Sequence, residues 1–197
     1  MRTTALLITM AVLVGCGGKS AADRAQDSTR VADSTARVNA PPPAPPALTD
    51  GQIVGIVQLV NQAEINNGKQ ASSRATSVAV KSYARMMVTD HEQMHKDTDK
   101  LADNLKISED DSPAKQKYSK AADVELDSLK SFKGAAYDKA YIDAAVSDHQ
   151  EVLNALDKEL IPGAVNPSLK AALQTARGKV AAHLQKAQEI QKGMLPK

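Results

Sequence analysis

Histidine is the scarce residue with chemistry to offer in this chain. It occurs four times in 197 residues, at positions 91, 95, 149 and 183. Two of the four lie in copies of one pattern, Tyr83-Ala-Arg-Met-Met-Val-Thr-Asp-His91-Glu and Tyr141-Ile-Asp-Ala-Ala-Val-Ser-Asp-His149-Gln, in which Tyr, Val, Asp and His coincide at an offset of 58 residues. His91 and His149 each fall on the apolar stripe of a segment with helical period. His183 falls on or beside a third stripe, and Glu64 on a fourth. If helix register brings them to one level, one carboxylate and three imidazoles would bind a single divalent metal, with Zn, Fe and Cu all compatible. Asp90 and Asp148 lie about 100° round their helices from the histidines. They would orient imidazoles across a helix interface rather than share the ligand shell. Tyr83 and Tyr141 would flank the cluster from the same stripes. The same groups serve equally well as paired core polar groups that fix helix register, because leaving them buried and unpaired costs several kcal/mol. The residue types alone leave both readings open.

Other chemistries find no support. Ser147, Asp148 and His149 are consecutive, so on a helix they point in different directions and make no triad. The chain has no Gly-rich phosphate loop and no Gly-x-Ser-x-Gly. His91-Glu92-Gln93-Met94-His95 does match His-Glu-x-x-His, and His91 and His95, a turn apart, could chelate a metal as a pair, but His95 is expected at the periphery. One cysteine excludes an internal disulfide framework. A net charge of +2 with 3% aromatics offers neither the basic face nor the stacking platform of a nucleic-acid binder. With no complete catalytic constellation, the sequence points first to a non-enzymatic binding or stress-protection role. Metal storage or oxidation is the alternative.

The elements that must position these groups are helical. From Leu48 onward the apolar residues recur at steps of three and four, with no period-two alternation. A first helix is expected from the Thr49-Asp50 N-cap signal, weakened at Asn67-Gly68 with a restart at Ser72-Ser73. A second runs from about Ser73 to Lys106. Pro113 opens a shorter connecting helix, with Tyr118, Ala122, Leu126, Leu129 and Phe132 turned inward. A third long helix spans about Ala135 to Leu160, closed by Pro162-Gly163. The last begins at Asn166-Pro167. Four long amphipathic helices with short connections make an all-α, antiparallel four-helix bundle over 48–194, with the connecting helix before the third long one.

The N-terminus reads as an address. Met1-Arg2 is followed by an apolar run over 5–15, too short to span a bilayer, which takes about 20 residues, but right for a signal-peptide core. Leu13-Val14-Gly15-Cys16 resembles a bacterial lipobox. It implies cleavage after residue 15, acylation of Cys16, and anchorage to a membrane as the one partner the sequence names. With Gly17 rather than Asp after the cysteine, the resemblance places the chain in the cell envelope, at the outer membrane facing the periplasm. Residues 16–47, with two copies of Asp-Ser-Thr and the Ala40-Pro-Pro-Pro-Ala-Pro-Pro-Ala47 run, read as a disordered, Pro-rich tether.

Residues 49–193 resemble the bacterial ferritin-like family called domain of unknown function 4142. The resemblance rests on Glu64, on Tyr83 with Met87-Val88-x-Asp90-His91, on Tyr141 with Asp148-His149, and on His183-Leu184-x-x-Ala187. It implies a ferritin-like four-helix bundle, often secreted or lipid-anchored, and no established reaction. A di-iron oxidase site would need a Glu from each of two helices and Glu-x-x-His from each of two others. This chain has one literal copy, Glu92-Gln-Met-His95, whose repeat partner, Gln150-Glu-Val-Leu153, lacks the ligands.

Replacing the single thiol tests the anchor. Cys16→Ser is expected to accumulate an unlipidated precursor that no longer fractionates with membranes, measured by fractionation and immunoblotting. Unchanged partition would remove the lipobox reading.

Overall fold

The structure is a computed structural model, and it describes residues 47–194. The signal segment, Cys16 and nearly all of the proposed tether lie outside the described residues. Within them the chain is all-helical and forms a helical bundle. The helices are α1 (Asp50–Arg74), α2 (Val78–Leu105), α3 (Pro113–Lys130), α4 (Gly134–Ala155) and α5 (Pro167–Gly193). None is long and apolar enough to cross a membrane.

Local chemistry sets the ends. Thr49 caps α1 through a reciprocal box: its hydroxyl accepts from the Gln52 N–H at 3.2 Å, and its own N–H donates to Gln52 Oε1 at 3.1 Å. Asn166 caps α5 by accepting from the N–H groups of Ser168 and Leu169, with Pro167 in the first turn. Asp138, buried on α4, accepts from Thr76 N–H, the Thr76 hydroxyl and Ser77 N–H, and so holds the α1–α2 turn at 2.6–2.8 Å. Arg74, at the end of α1, donates to the carbonyls of Lys130 and Phe132 at 3.0 and 2.8 Å and stacks over Tyr137. It therefore closes the C-terminal end of α3.

Several boundaries differ from expectation. α1 does not weaken at Asn67-Gly68. It continues to Arg74, and the break falls at 75–77, so α2 begins at Val78 rather than near Ser73. Gly68 is there for close approach: a Cβ at this position would lie 2.8 Å from the Val88 methyl and 3.0 Å from the Ala84 carbonyl of α2. Phe132, expected inward, is 38% exposed because α3 ends at Lys130 and the chain has already left the helix. α4 widens into a π turn over Leu156–Leu160 before a last turn over Ile161–Gly163. Pro162 accounts for it, since proline has no N–H for the α-type bond and its ring crowds the preceding turn. The wide turn still buries Leu156 and Leu160.

Around the bundle, α1 neighbours α2 and α4, and α5 neighbours α2 and α4, which leaves α2 and α4 on one diagonal. The repeat lies on that diagonal. Tyr83 and Tyr141 rings are 6.1 Å apart, and His91 and His149 rings 6.2 Å apart. Equal spacing two turns on shows that α2 and α4 run parallel and in register across the core. Two apolar clusters fill the interior. One is built on Ile53, Ile56, Leu156, Leu160, Leu169 and Leu173, the other on Val80, Tyr83, Met87, Tyr137, Tyr141 and Ile142. Along each of α1, α2 and α4 the two clusters are separated by one polar level, at Asn61/Glu64, His91 and His149. His183 meets that level from α5.

Two glycines test the packing. Gly68→Ala is expected to lower stability by about 1–3 kcal/mol through overpacking at the α1–α2 contact, despite the better helix former. Gly178→Ala, where a Cβ meets nothing within 4 Å, is expected to raise it by roughly 0.5–1 kcal/mol. Urea denaturation of both variants reads the opposite signs.

Candidate metal centre

Three histidines converge at the polar level. His91, His149 and His183 are each 2–3% exposed, and each presents one donor atom, all three within 4.8 Å of one another. The ring centroids of His183 lie 5.3 Å from those of His91 and 5.6 Å from those of His149. The other nitrogen of each ring is already engaged. His149 Nδ1 donates to the Ala145 carbonyl at 2.9 Å, and His183 Nε2 donates to the Asp90 carboxylate at 2.9 Å. Neither partner has a proton to give, so the tautomers of these two rings are set. His91 Nδ1 donates to Asn61 Oδ1 at 2.9 Å. What remains is His91 Nε2, His149 Nε2 and His183 Nδ1, all buried and without a hydrogen-bond partner among the described residues. Three lone pairs thus face one another. Buried nitrogens are rarely left unpaired, and imidazoles whose far N–H is held by a carbonyl or carboxylate are the usual form of metal ligands.

The electrostatics agree with neutral rings. Burial lowers all three histidine pKa values, that of His91 to about 2; neighbouring imidazoles add to the effect at His91 and His183, whereas the Ala145 carbonyl and Asp148 partly counter it at His149. Asp90 partly counters the shift at His183. A tetrahedral ion with nitrogens at 2.0–2.1 Å needs them about 3.4 Å apart. The rings therefore have to close in by a fraction of an ångström each, within reach of small χ rotations, and the donor set fits a borderline or soft ion.

The remaining sequence candidates are sorted by this geometry. Glu64 does not face the three free nitrogens. Its Oε1 lies 3.7 Å from His149 Nδ1, on the far side of that ring, because its α1 position is nearly a turn beyond Asn61. Asp90 orients an imidazole across an interface. Asp148 does not, because it turns toward Glu125 on α3, and burial raises the carboxyls of both. Tyr83 and Tyr141 pack edge to face. The Tyr83 hydroxyl donates to the His183 carbonyl at 3.4 Å, and the Tyr141 hydroxyl has no partner among the described residues. His95 sits nearer the surface against Asp99 at 3.2 Å. Sequence reasoning missed Asn61 and Glu125. Asn61 had a signal, since it stands three residues before Glu64 and therefore shares its helix face. Glu125 had one too, since it stands three residues after Ala122 and four before Leu129, on the α3 stripe expected to face inward.

Glu64, Glu125 and Asp148 border a cleft of about 770 Å³ between α1, α3 and α4. Burial, and then the nearby Asp148, raises the Glu64 carboxyl to about 8, and burial likewise raises Glu125. The metal-free protein should therefore show opposed pH dependences. The histidines are held below 6.5, so their contribution to stability is present above that value and lost as pH falls through it. The carboxyls are held above 4.5, so theirs is present below that value and lost as pH rises toward about 8. Each group changes stability by about 1.4 kcal/mol per pH unit within its window. In chelator-treated protein, the urea midpoint is expected to peak near about pH 6 and to fall on both sides. Glu64→Gln should flatten the alkaline limb, and a midpoint flat from pH 6 to 8 in the unsubstituted protein would overturn the buried-carboxyl account.

Comparisons with known proteins give two results. No curated protein matches the chain. A solved structure described as CopM in the Cu(II)-bound form is similar, with a TM-score of 0.58 and 14% identity, covering 76% of this chain and 100% of that one. At that identity the likeness concerns the helical fold alone. The family model for a domain of unknown function, DUF4142, matches residues 35–190, beginning within the stretch expected as tether and taking in all three converging histidines. By that match the chain belongs to the DUF4142 family.

Proposed function

We propose that this protein binds one transition-metal ion, copper or zinc, through His91 Nε2, His149 Nε2 and His183 Nδ1, on a ferritin-like four-helix scaffold. The observation that carries the reading is the set of three buried nitrogens left free while the opposite nitrogen of each ring is held by Asn61, Ala145 or Asp90. Three neutral imidazoles with no carboxylate among them suit copper and zinc better than the harder ions, which prefer oxygen. Iron, left open by residue type alone, loses ground because Glu64 faces away from the donors. The similar fold of CopM, described with Cu(II) bound, is compatible with copper. We further propose, from the lipobox and the Pro-rich run, that a lipid anchor at Cys16 holds this binding domain at the envelope membrane. The role is then to bind or buffer the ion rather than to turn over a substrate.

Titration of the metal-free protein with Cu(II) and Zn(II) tests the reading. One equivalent is expected to bind tighter than micromolar, and Cu(II) should show nitrogen hyperfine coupling by electron paramagnetic resonance. His91→Ala, His149→Ala and His183→Ala should each cost at least about 100-fold in affinity, and Asp90→Asn about 10–100-fold through loss of imidazole orientation. If no ion binds tighter than micromolar and the histidine variants differ only in stability, the cluster is a register-setting polar layer and the metal reading fails.

A further inference from the structure

A second feature of the same level points to an organic ligand. A cavity of about 320 Å³ runs between α1, α2, α4 and α5. Its walls are apolar, built on Ile56, Val60, Met94, Leu101, Leu156 and Leu173. Polar groups gather at its two ends. The inner end is formed by Asn61, Glu64, His91 and His149, and the outer end by Asp97, Thr98, Thr175 and Lys179. Asp97, Thr175 and Lys179 are exposed, so the cavity opens between α2 and α5. A long apolar cavity with a small polar group at its closed end is the usual form of a small-molecule site. Water gains little there, because it finds too few partners along such walls.

The inner end carries an unspent donor. Asn61 is 4% exposed, and its Oδ1 is committed to His91. Its Nδ2, which has two protons to give, has no partner among the described residues. A buried amide N–H left without an acceptor costs on the order of 1–3 kcal/mol, and a ligand oxygen at the closed end would remove that cost. The charge of that oxygen is also constrained. No cation lies at the inner end, and the one Lys that borders the cavity is at the exposed mouth. An anionic head would be buried without a counter-ion, which is far more costly than burying a neutral one.

We infer that this cavity binds a small, uncharged, apolar molecule with a single oxygen acceptor, of the ketone or ester class, whose oxygen accepts from Asn61 Nδ2 while its hydrocarbon body lies along Val60, Met94, Leu101 and Leu156. This site borders the proposed metal centre, sharing His91 and His149 at its inner end, but does not depend on a bound ion and is tested with metal excluded.

In the full chain with excess chelator, the fluorescent probe N-phenyl-1-naphthylamine should bind and be displaced by 2-octanone at ten-fold or more lower concentration than by octanoate. Asn61→Leu should weaken 2-octanone at least ten-fold while changing the oxygen-free butylbenzene by less than two-fold. Ala176→Phe and Thr98→Phe, which fill the cavity, should each abolish probe binding. The ligand series on the unsubstituted chain needs no variant to fold. Octanoate displacing as well as 2-octanone, equal losses of ketone and butylbenzene in Asn61→Leu, or probe binding that survives both filled variants would each overturn the inference. Since no metal is present, none of these outcomes bears on the metal titration.

Discussion

Each imidazole in the core can offer only one nitrogen to its neighbours because the other is tied down. The Ala145 carbonyl, the Asp90 carboxylate and the Asn61 amide oxygen accept from His149, His183 and His91, each at 2.9 Å. Two of these bonds cross between helices, α1 to α2 and α2 to α5, while the third lies within α4, and the meeting of the three rings then requires α1, α2, α4 and α5 to be in register at this level. A slip of one residue on any of them turns its group by about 100° out of the core. The apolar clusters above and below supply the rigidity. Their packing holds a layer of neutral imidazoles that would otherwise open to water and protonate.

The repeat explains how a layer of this kind is built. Two copies of Tyr-(x)6-Asp-His, placed on α2 and α4, end up parallel on a diagonal and bring like residues face to face, Tyr83 to Tyr141 and His91 to His149. The flanking helices then break the symmetry. α5 presents His183 to Asp90, whereas on the opposite side Asp148 meets Glu125 from α3, where burial raises both carboxyls. Identical local sequence thus has two different jobs, one orienting a ring and the other lining a cleft. The third imidazole comes from outside the repeat, and it makes the donor set three rather than two.

The two cavities meet this layer from different sides and with different chemistry. Between α1, α3 and α4 the cleft reaches the buried carboxyls of Glu64, Glu125 and Asp148. On the side of α2 and α5 the apolar cavity ends on Asn61, His91 and His149. α3 packs chiefly on α1 and touches α4 lightly, which leaves the first cleft open. The second opens beside the exposed Asp97 of α2 and Lys179 of α5. Both approaches lead to polar groups that were selected by register and not by surface exposure.

The sequence by itself determined that the domain is helical, which residues form the apolar stripes, and that His91, His149 and His183 lie on them. A period of 3.6 residues and local capping by Thr49 and Asn166 are properties of short stretches, so they can be read without the rest of the chain. Gly68 and the 75–77 break were misjudged because a contact 20 residues away, at Val88, outweighs helix propensity there. Only the tertiary structure decided which nitrogen of each ring is free, that Glu64 lies behind His149, that Asp90 and Asp148 part company, and that Asn61 keeps an unused donor. Those outcomes depend on which helix stands opposite and at what height. Helical pitch fixes a side chain's direction to within one face, but not the neighbour it meets there.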